Sequence, residues 1–285
     1  MRIAVVVEQL SARVPGGTGR YTAEVVAGLV RTAPEGAQVQ GWSAWHRRAW
    51  VPRLAGAPAT HRLPLPSRGL TAAWQAGVPL RPRGVDLVHA PTLLAPPRSR
   101  RAGLVVTVHD TVPWTHPETL TPRGVRWHRG MAERAARHAD ALVVPTRAVA
   151  DDLVRHLDVR VPVVVAGAAP SHSVGRPADA AERVRRLGLT DGHLVTVATL
   201  EPRKGLDVLL RALAVAGPRL PPLAVVGRPV SRPTPAAMLD ISTPPHPRRP
   251  TTASTASRGP APARARASPS RPLPGARAAT EAPWP

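Results

Sequence analysis

The strongest constraint on how this chain can fold is the order in which two patterns recur. Short runs of β-branched and other apolar residues, with no alternation of polar ones, are followed by segments whose apolar residues return at helical spacing. Ile3 to Val7 is the first such run, and Asp86 to Ala90, Leu104 to Val108, Ala141 to Val144, Val161 to Val165, Leu194 to Ala198 and Leu223 to Val226 repeat it. A strand that is apolar on both sides must be covered on both sides, which is the situation of a parallel sheet between two helical layers. The sustained strand and helix alternation therefore predicts a doubly wound α/β fold.

The helices are carried by Tyr21, Val25 and Leu29, by Val125, Met131, Ala135 and Ala139, by Val149, Leu153 and Leu157, and by Leu206, Leu209, Leu210 and Leu213. Thr18 and Thr146 are placed to cap the first and third of these, and Asp151 and Asp152 suit a first helical turn. Residues 38–84 are less legible, because Pro, Gly and Arg interrupt every pattern. A strand over Val39 to Trp45 and a short helix over Leu70 to Ala76 are the expectations there. Gly167 to Pro177 reads as a hinge, which predicts a first domain over 1–166, a hinge over 167–177 and part of a second domain over 178–228.

Composition changes after Gly227. Of the 57 residues from 229 to 285, 46 are Pro, Ala, Ser, Thr or Arg, and no periodicity survives, so disorder is expected. Because the break falls inside an apparent domain, a shifted reading frame is the expected cause, with a natural basic tail as the competing explanation. The chain carries a formal net charge of +21, and its basic residues are scattered rather than gathered in a stripe. With one Tyr and no Phe to stack on bases, nucleic acid is not an expected partner.

There is no Cys, so disulfide and thiol chemistry are excluded, and the 11 His show no tight ligand spacing. No bound metal or cofactor is expected. The five apolar residues before Glu8 are too few for a signal peptide, and no run approaches a membrane span. A cytoplasmic protein is expected, with peripheral contact at the inner membrane face as a further expectation.

Three places carry candidate chemistry. In TVATLEPRKGLDVLLRAL, residues 196–213, a strand, a tight turn and a helix follow one another, with Arg203 and Lys204 at the helix N-terminus. Two cations beside unpaired N–H groups and a positive helix end are relieved by an anion, which is the physics of a phosphate site. Lys204 is the only Lys among 39 basic residues, and an ammonium differs from a guanidinium fork in shape and hydration. The plain alternative is a solvated helix start. Gly16, Gly17, Thr18 and Gly19 follow the first strand and precede a helix, either as a simple turn or as a bare backbone approach to a ligand. His109 lies directly after the strand Leu104 to Val108, where the crevice of an open parallel sheet is found. It is placed either to touch a substrate or to hold a loop.

These motifs together resemble glycosyltransferase family 4, also called group 1, and its bacterial mannosyltransferase-like members. The likeness runs from Met1 to about Gly227. It rests on the Gly16-Gly17 turn, VHDTVPWTHPE at 108–118, RHADALVVPTRAVADDL at 137–153 and LEPRKGLDVLLRA at 200–212. The resemblance implies the GT-B arrangement of two Rossmann-like domains, an N-terminal acceptor-side domain and a C-terminal nucleotide-sugar-binding one. It implies transfer of a sugar from a nucleotide-diphosphate donor to a glycan, lipid or small-molecule acceptor, with retained configuration and no metal, as in cell-envelope polysaccharide synthesis. By the same resemblance Arg203, Lys204, Gly16 and Gly17 hold the donor diphosphate, and His109 is the catalytic residue beside the transferred sugar. The chain departs from the family after Gly227, where a Glu-x7-Glu pair is expected and the only Glu is Glu281. Impaired or absent activity follows as an expectation, and a non-catalytic basic protein that binds nucleic acid or a sugar nucleotide is the alternative.

Overall fold

The computed structural model describes residues 1–12, 15–47, 60–169, 175–189, 192–201, 204–217 and 220–227. The expected tail over 229–285 and Arg203 lie outside these described residues, as does part of the expected hinge.

Seven parallel strands form one sheet. They are β1 (Arg2–Val6), β2 (Gln38–Trp45), β3 (Thr60–Pro66), β4 (Leu87–Ala90), β5 (Gly103–Thr107), β6 (Ala141–Val144) and β7 (Val163–Val165), in the order β3-β2-β1-β4-β5-β6-β7. The helices of this part of the chain are α1 (Gly16–Thr32), α2 (Ser67–Gln75), α3 (Val112–Thr115), α4 (Pro122–His138) and α5 (Arg147–His156). The strand order reverses between β1 and β4, and such a switch point opens a crevice beyond the carboxyl ends of the strands.

The unbroken apolar runs have a simple cause. Along β1 and its extension, Ile3, Val5 and Val7 join Leu10, Val26 and Val39 in one buried cluster. Ala4 and Val6 point the other way, into a larger cluster with Leu70, Trp74, Val88, Leu104, Val106, Leu142 and Leu153. Successive strand residues face opposite sides, so a strand covered on both faces must be apolar at every position.

β3 was not expected from the sequence, because Pro64 and Pro66 disrupt its pattern. Among the described residues it pairs only with β2, at one edge of the sheet, and an edge strand tolerates prolines whose missing N–H groups would break a central ladder. Three further expectations are corrected. Thr18 lies inside α1 rather than at its cap, which is Pro15, and its hydroxyl donates to the Pro15 carbonyl at 3.3 Å. The buried stripe of α1 is Gly19, Thr22 and Val26, one position on from Val25. Asp151 and Asp152 sit in the middle of α5, where Asp152 accepts a hydrogen bond from Thr111 at 3.1 Å. Thr146 does cap α5, accepting from the Val149 N–H at 3.2 Å.

Later in the chain come α6 (Ala180–Arg186), β8 (Leu194–Val197), α7 (Leu206–Ala216) and β9 (Leu223–Val226). β8 and β9 pair in parallel with Leu194 opposite Leu223 and Val197 opposite Val226, so β8, α7 and β9 form a β-α-β unit. Asp207 and Arg211 form an ion pair at 2.6 Å on the polar side of α7. None of the described residues in these three elements is buried, and Val197, Val208 and Val215 are 76%, 58% and 89% exposed. Apolar surface on this scale is what a sheet shows when nothing among the described residues covers it.

Candidate functional site

The residues that follow β1, β4 and β5 meet at the switch-point crevice. A cavity of about 960 Å³ lies there, lined by Gln9 after β1, by Thr92, Leu93 and Leu94 after β4, and by Thr107 to Asp110 at the end of β5. Helices α2 and α4 supply most of the remaining wall, through Ser67, Arg68, Thr71, Gln75, Arg123 and Trp127 among others, with Thr18 of α1 and Pro113 of α3. The sheet thus decides where the cavity is, and the helices decide its chemistry.

His109 lines this cavity. Its Nε2–H donates to the Pro91 carbonyl at 2.8 Å, and Tyr21 packs edge-on against the ring with centroids 4.8 Å apart. A carbonyl can only accept, so in the neutral ring the proton sits on Nε2 and Nδ1 keeps its lone pair. Among the described residues Nδ1 has no hydrogen-bond partner. One ring nitrogen therefore holds the loop after β4, and the ring lies on the wall of the cavity.

The stretch around His109 is fixed residue by residue. The Val108 N–H bonds the Val143 carbonyl at 2.9 Å, which ties the end of β5 to β6. Asp110 accepts from the Val112 N–H at 3.1 Å, and Arg129 donates to the Pro113 carbonyl through Nε at 3.0 Å and Nη2 at 2.7 Å. Trp114 stacks on His156 at 5.8 Å. Each neighbour is engaged in holding the turn, and of this stretch His109, Asp110 and Pro113 line the cavity.

Behind it lies a second histidine that the sequence did not single out. His89 Nε2 is 3.0 Å from Thr107 Oγ1, which is in turn 3.4 Å from the Tyr21 hydroxyl. Burial lowers the His89 pKa from 6.5 to about 4, so the ring is neutral at physiological pH. A neutral His89, Thr107 and Tyr21 make a backing that presents no charge to His109.

Glu8 was also missed. It is buried, and its carboxylate accepts from the Ala44 N–H at 2.8 Å, from His46 Nε2 at 3.1 Å and from the Ser67 hydroxyl. A buried carboxylate needs such partners. Here they pin the start of α2 to the ends of β1 and β2. Its position directly after a buried strand at a switch point is the signal that could have marked it.

Gly16 and Gly17 open α1 and are exposed. Gly16 has φ of +63°, where a side chain is strained, and an added Cβ on Gly17 meets nothing within 4 Å. Gly19 is constrained by packing instead, since its Cβ would lie 2.3 Å from the Pro15 Cβ. Gln9 Nε2 donates to the Pro15 carbonyl at 3.0 Å and holds this turn from the cavity side. Lys204 is exposed, its N–H bonds the Glu201 carbonyl at 3.0 Å, and Gly205 with φ of +65° leads into α7. His109 and Thr18 share the cavity wall, whereas Gly16, Gly17 and Lys204 are not among its lining residues. Among the described residues no three His, Cys, Asp or Glu side chains gather as a metal site, and no helix is long and apolar enough to cross a membrane.

Comparison with known proteins adds two findings. The sequence model of Glycosyltransferase Family 4 matches residues 15–167. Among solved structures, the chain is similar to Anabaena Alr3699/HepE in complex with UDP, at 17% identity and a TM-score of 0.50, over 81% of this chain and 62% of that one. The same Anabaena protein in complex with UDP and glucose gives 18% identity and a TM-score of 0.52 over the same shares. The chain thus covers less than two thirds of the length of that protein. No curated protein sequence matches.

Proposed function

Because the chain belongs to Glycosyltransferase Family 4, we propose that it serves sugar transfer from a nucleotide-diphosphate donor, with the switch-point cavity as the acceptor side. The observation that carries this is His109 at the carboxyl end of β5, with one nitrogen anchored and its ring on the wall of a cavity large enough for a sugar. The Anabaena protein of similar fold was solved with UDP and with UDP and glucose together, which makes UDP-glucose the first donor to try.

In the proposed reaction the bond between the sugar C1 and the diphosphate oxygen breaks and a bond from C1 to the acceptor hydroxyl oxygen forms, with configuration retained. The acceptor proton leaves with the nucleoside diphosphate. Negative charge grows on the leaving diphosphate, and Lys204 with Arg203 is proposed to stabilise it, together with the bare backbone at Gly16 and Gly17. His109 is proposed to accept a hydroxyl hydrogen of the transferred sugar at Nδ1. No metal is required in this scheme, since the side-chain cations take its role. The acceptor is a glycan, lipid or small molecule, and we place the reaction at the inner membrane face in envelope synthesis.

The stretch after Gly227 contains a single Glu, Glu281, so the carboxylate pair that the family resemblance implies for the ribose and sugar is not found there. We therefore expect slow turnover by this chain. The test is release of UDP from radiolabelled UDP-glucose with a panel of acceptors, comparing residues 1–285 with a His109→Ala variant. Acceptor-dependent release that the variant loses supports the proposal, and UDP-glucose that neither binds nor turns over under any condition defeats it.

A further inference from the structure

Tyr21 is the only Tyr in the chain, and its side chain serves the site without lining the cavity. It is half-buried, yet among the described residues it joins neither of the apolar clusters that hold the sheet. Its ring stands at 88° to that of His109 with centroids 4.8 Å apart, and its hydroxyl lies 3.4 Å from Thr107 Oγ1.

The register of the sheet explains why these groups meet. β4 lies between β1 and β5, with His89 opposite Val5 on one side and Val105 on the other. Side chains two positions apart along a strand share a face, so Thr107 projects on the same side as Val105 and His89. Val5 shares its cluster with Val26 of α1, so this is the side that α1 covers. Tyr21 therefore reaches from α1 onto Thr107, which has His89 Nε2 at 3.0 Å behind it. Thr107 is 1% exposed and has a single hydroxyl hydrogen, so between its two neighbours it donates to one and accepts from the other. The neutral His89 ring serves as donor or acceptor, and the chain of three groups closes in either direction.

His109 needs this support. Its hydrogen bond to the Pro91 carbonyl fixes one nitrogen, but a ring held at one point still pivots about it. The perpendicular contact with Tyr21 is a preferred aromatic geometry and opposes that pivot. Tyr21 can oppose it only if its own ring is held, and the Thr107 hydroxyl holds it. Tyr21 also stands about one helical turn after Gly17, so a single rigid helix carries both Tyr21 and the glycine turn proposed for the donor diphosphate.

We propose that Tyr21 is a positioning residue: tethered through its hydroxyl to Thr107 and His89, it sets the angle of the His109 ring and its register against the turn at Gly16 and Gly17. The sugar end and the diphosphate end of one donor are then met together; the proposal deepens the sugar-transfer function and rests on it. Tyr21 acts only through His109.

The test uses the full chain of 285 residues as wild type, Tyr21→Phe, Tyr21→Leu, Thr107→Val and His109→Ala. Nitrogen NMR follows the His109 imidazole, assigned by its loss in His109→Ala, and fluorotyrosine labelling gives one fluorine resonance because there is one Tyr. The wild-type spectrum should be that of a His109 protonated at Nε2. In Tyr21→Leu the ring is free to leave the Pro91 carbonyl, and the ratio of that tautomer to the other should fall by about two- to tenfold, the worth of an aromatic pair. Tyr21→Phe keeps the ring and loses only the tether, so it should lose a smaller part, and Thr107→Val should match it. The fluorine resonance should shift in both His109→Ala and Thr107→Val. With UDP-glucose, Tyr21→Leu should lower kcat by about tenfold or more while KM stays within about twofold. A wild-type His109 spectrum in Tyr21→Leu overturns the proposal, as does a fluorine resonance indifferent to His109→Ala. Equal losses in kcat and in UDP-glucose affinity overturn it too, because Tyr21 would then support the fold or the donor at large. If Tyr21→Leu fails to fold, Tyr21→Phe and Thr107→Val decide, and wild-type spectra in both overturn the proposal. If no variant turns over UDP-glucose while the His109 spectrum still depends on Tyr21, the positioning role is supported and only the sugar-transfer function fails.

Discussion

The half-buried His89 behind the cavity makes a pH dependence that can be worked out in advance. Folding lowers the His89 pKa from 6.5 to about 4, because the partly buried ring loses hydration that its cationic form needs. Between these two values the unfolded chain holds a proton that the native chain does not, so native stability rises with pH across that window. The contribution is fully present above the unfolded value and is lost progressively as the pH falls toward the folded one. The full difference corresponds to about 3 kcal/mol, a large part of the stability of an ordinary domain. Acidic groups titrate in the same window, so the measurement must be differential. Urea unfolding followed by Trp fluorescence at a series of pH values, for the wild type and His89→Gln, isolates the histidine. The variant should be less stable at neutral pH through lost packing, yet its stability should fall less on acidification, by up to about 3 kcal/mol. Parallel curves, or an NMR titration of His89 near its ordinary value, would refute the reasoning.

Other perturbations separate structural from chemical roles. His109→Ala should reduce transfer far more than donor binding, and His109→Gln, which keeps a donor for the Pro91 carbonyl, should restore stability without restoring transfer; an equal loss in binding and transfer would make His109 an anchor only. Lys204→Ala should lower turnover by about a hundredfold or more, with Lys204→Arg recovering part of it, and full activity in both would return Lys204 to the solvated surface. Gly19→Ala should destabilise by about 1–3 kcal/mol because its Cβ would meet the Pro15 Cβ at 2.3 Å. Gly17→Ala meets nothing within 4 Å, so thermal unfolding should be unaffected or improved while donor affinity falls; unchanged affinity would remove Gly17 from the diphosphate site.

The sequence alone determined the class of fold and most of its elements. β6 and β9 have the bounds that Ala141 to Val144 and Leu223 to Val226 announce, because each is an unbroken run of apolar residues, half of them β-branched. It also placed His109 at the end of a strand, which is where a parallel sheet opens. Tertiary structure decided what local pattern cannot encode. β3 is tolerated with its prolines only because it falls on an edge, and the edge is a property of the whole sheet. The buried stripe of α1 includes Val26 rather than Val25 because that face packs on Ile3, Val5, Val7 and Val39 of the sheet. Glu8, Tyr21, His89 and Thr107 come from four separate segments and carry no shared spacing. Their roles arise when the strand order reverses between β1 and β4 and brings those segments to one crevice, a long-range arrangement set by packing rather than by neighbours in sequence.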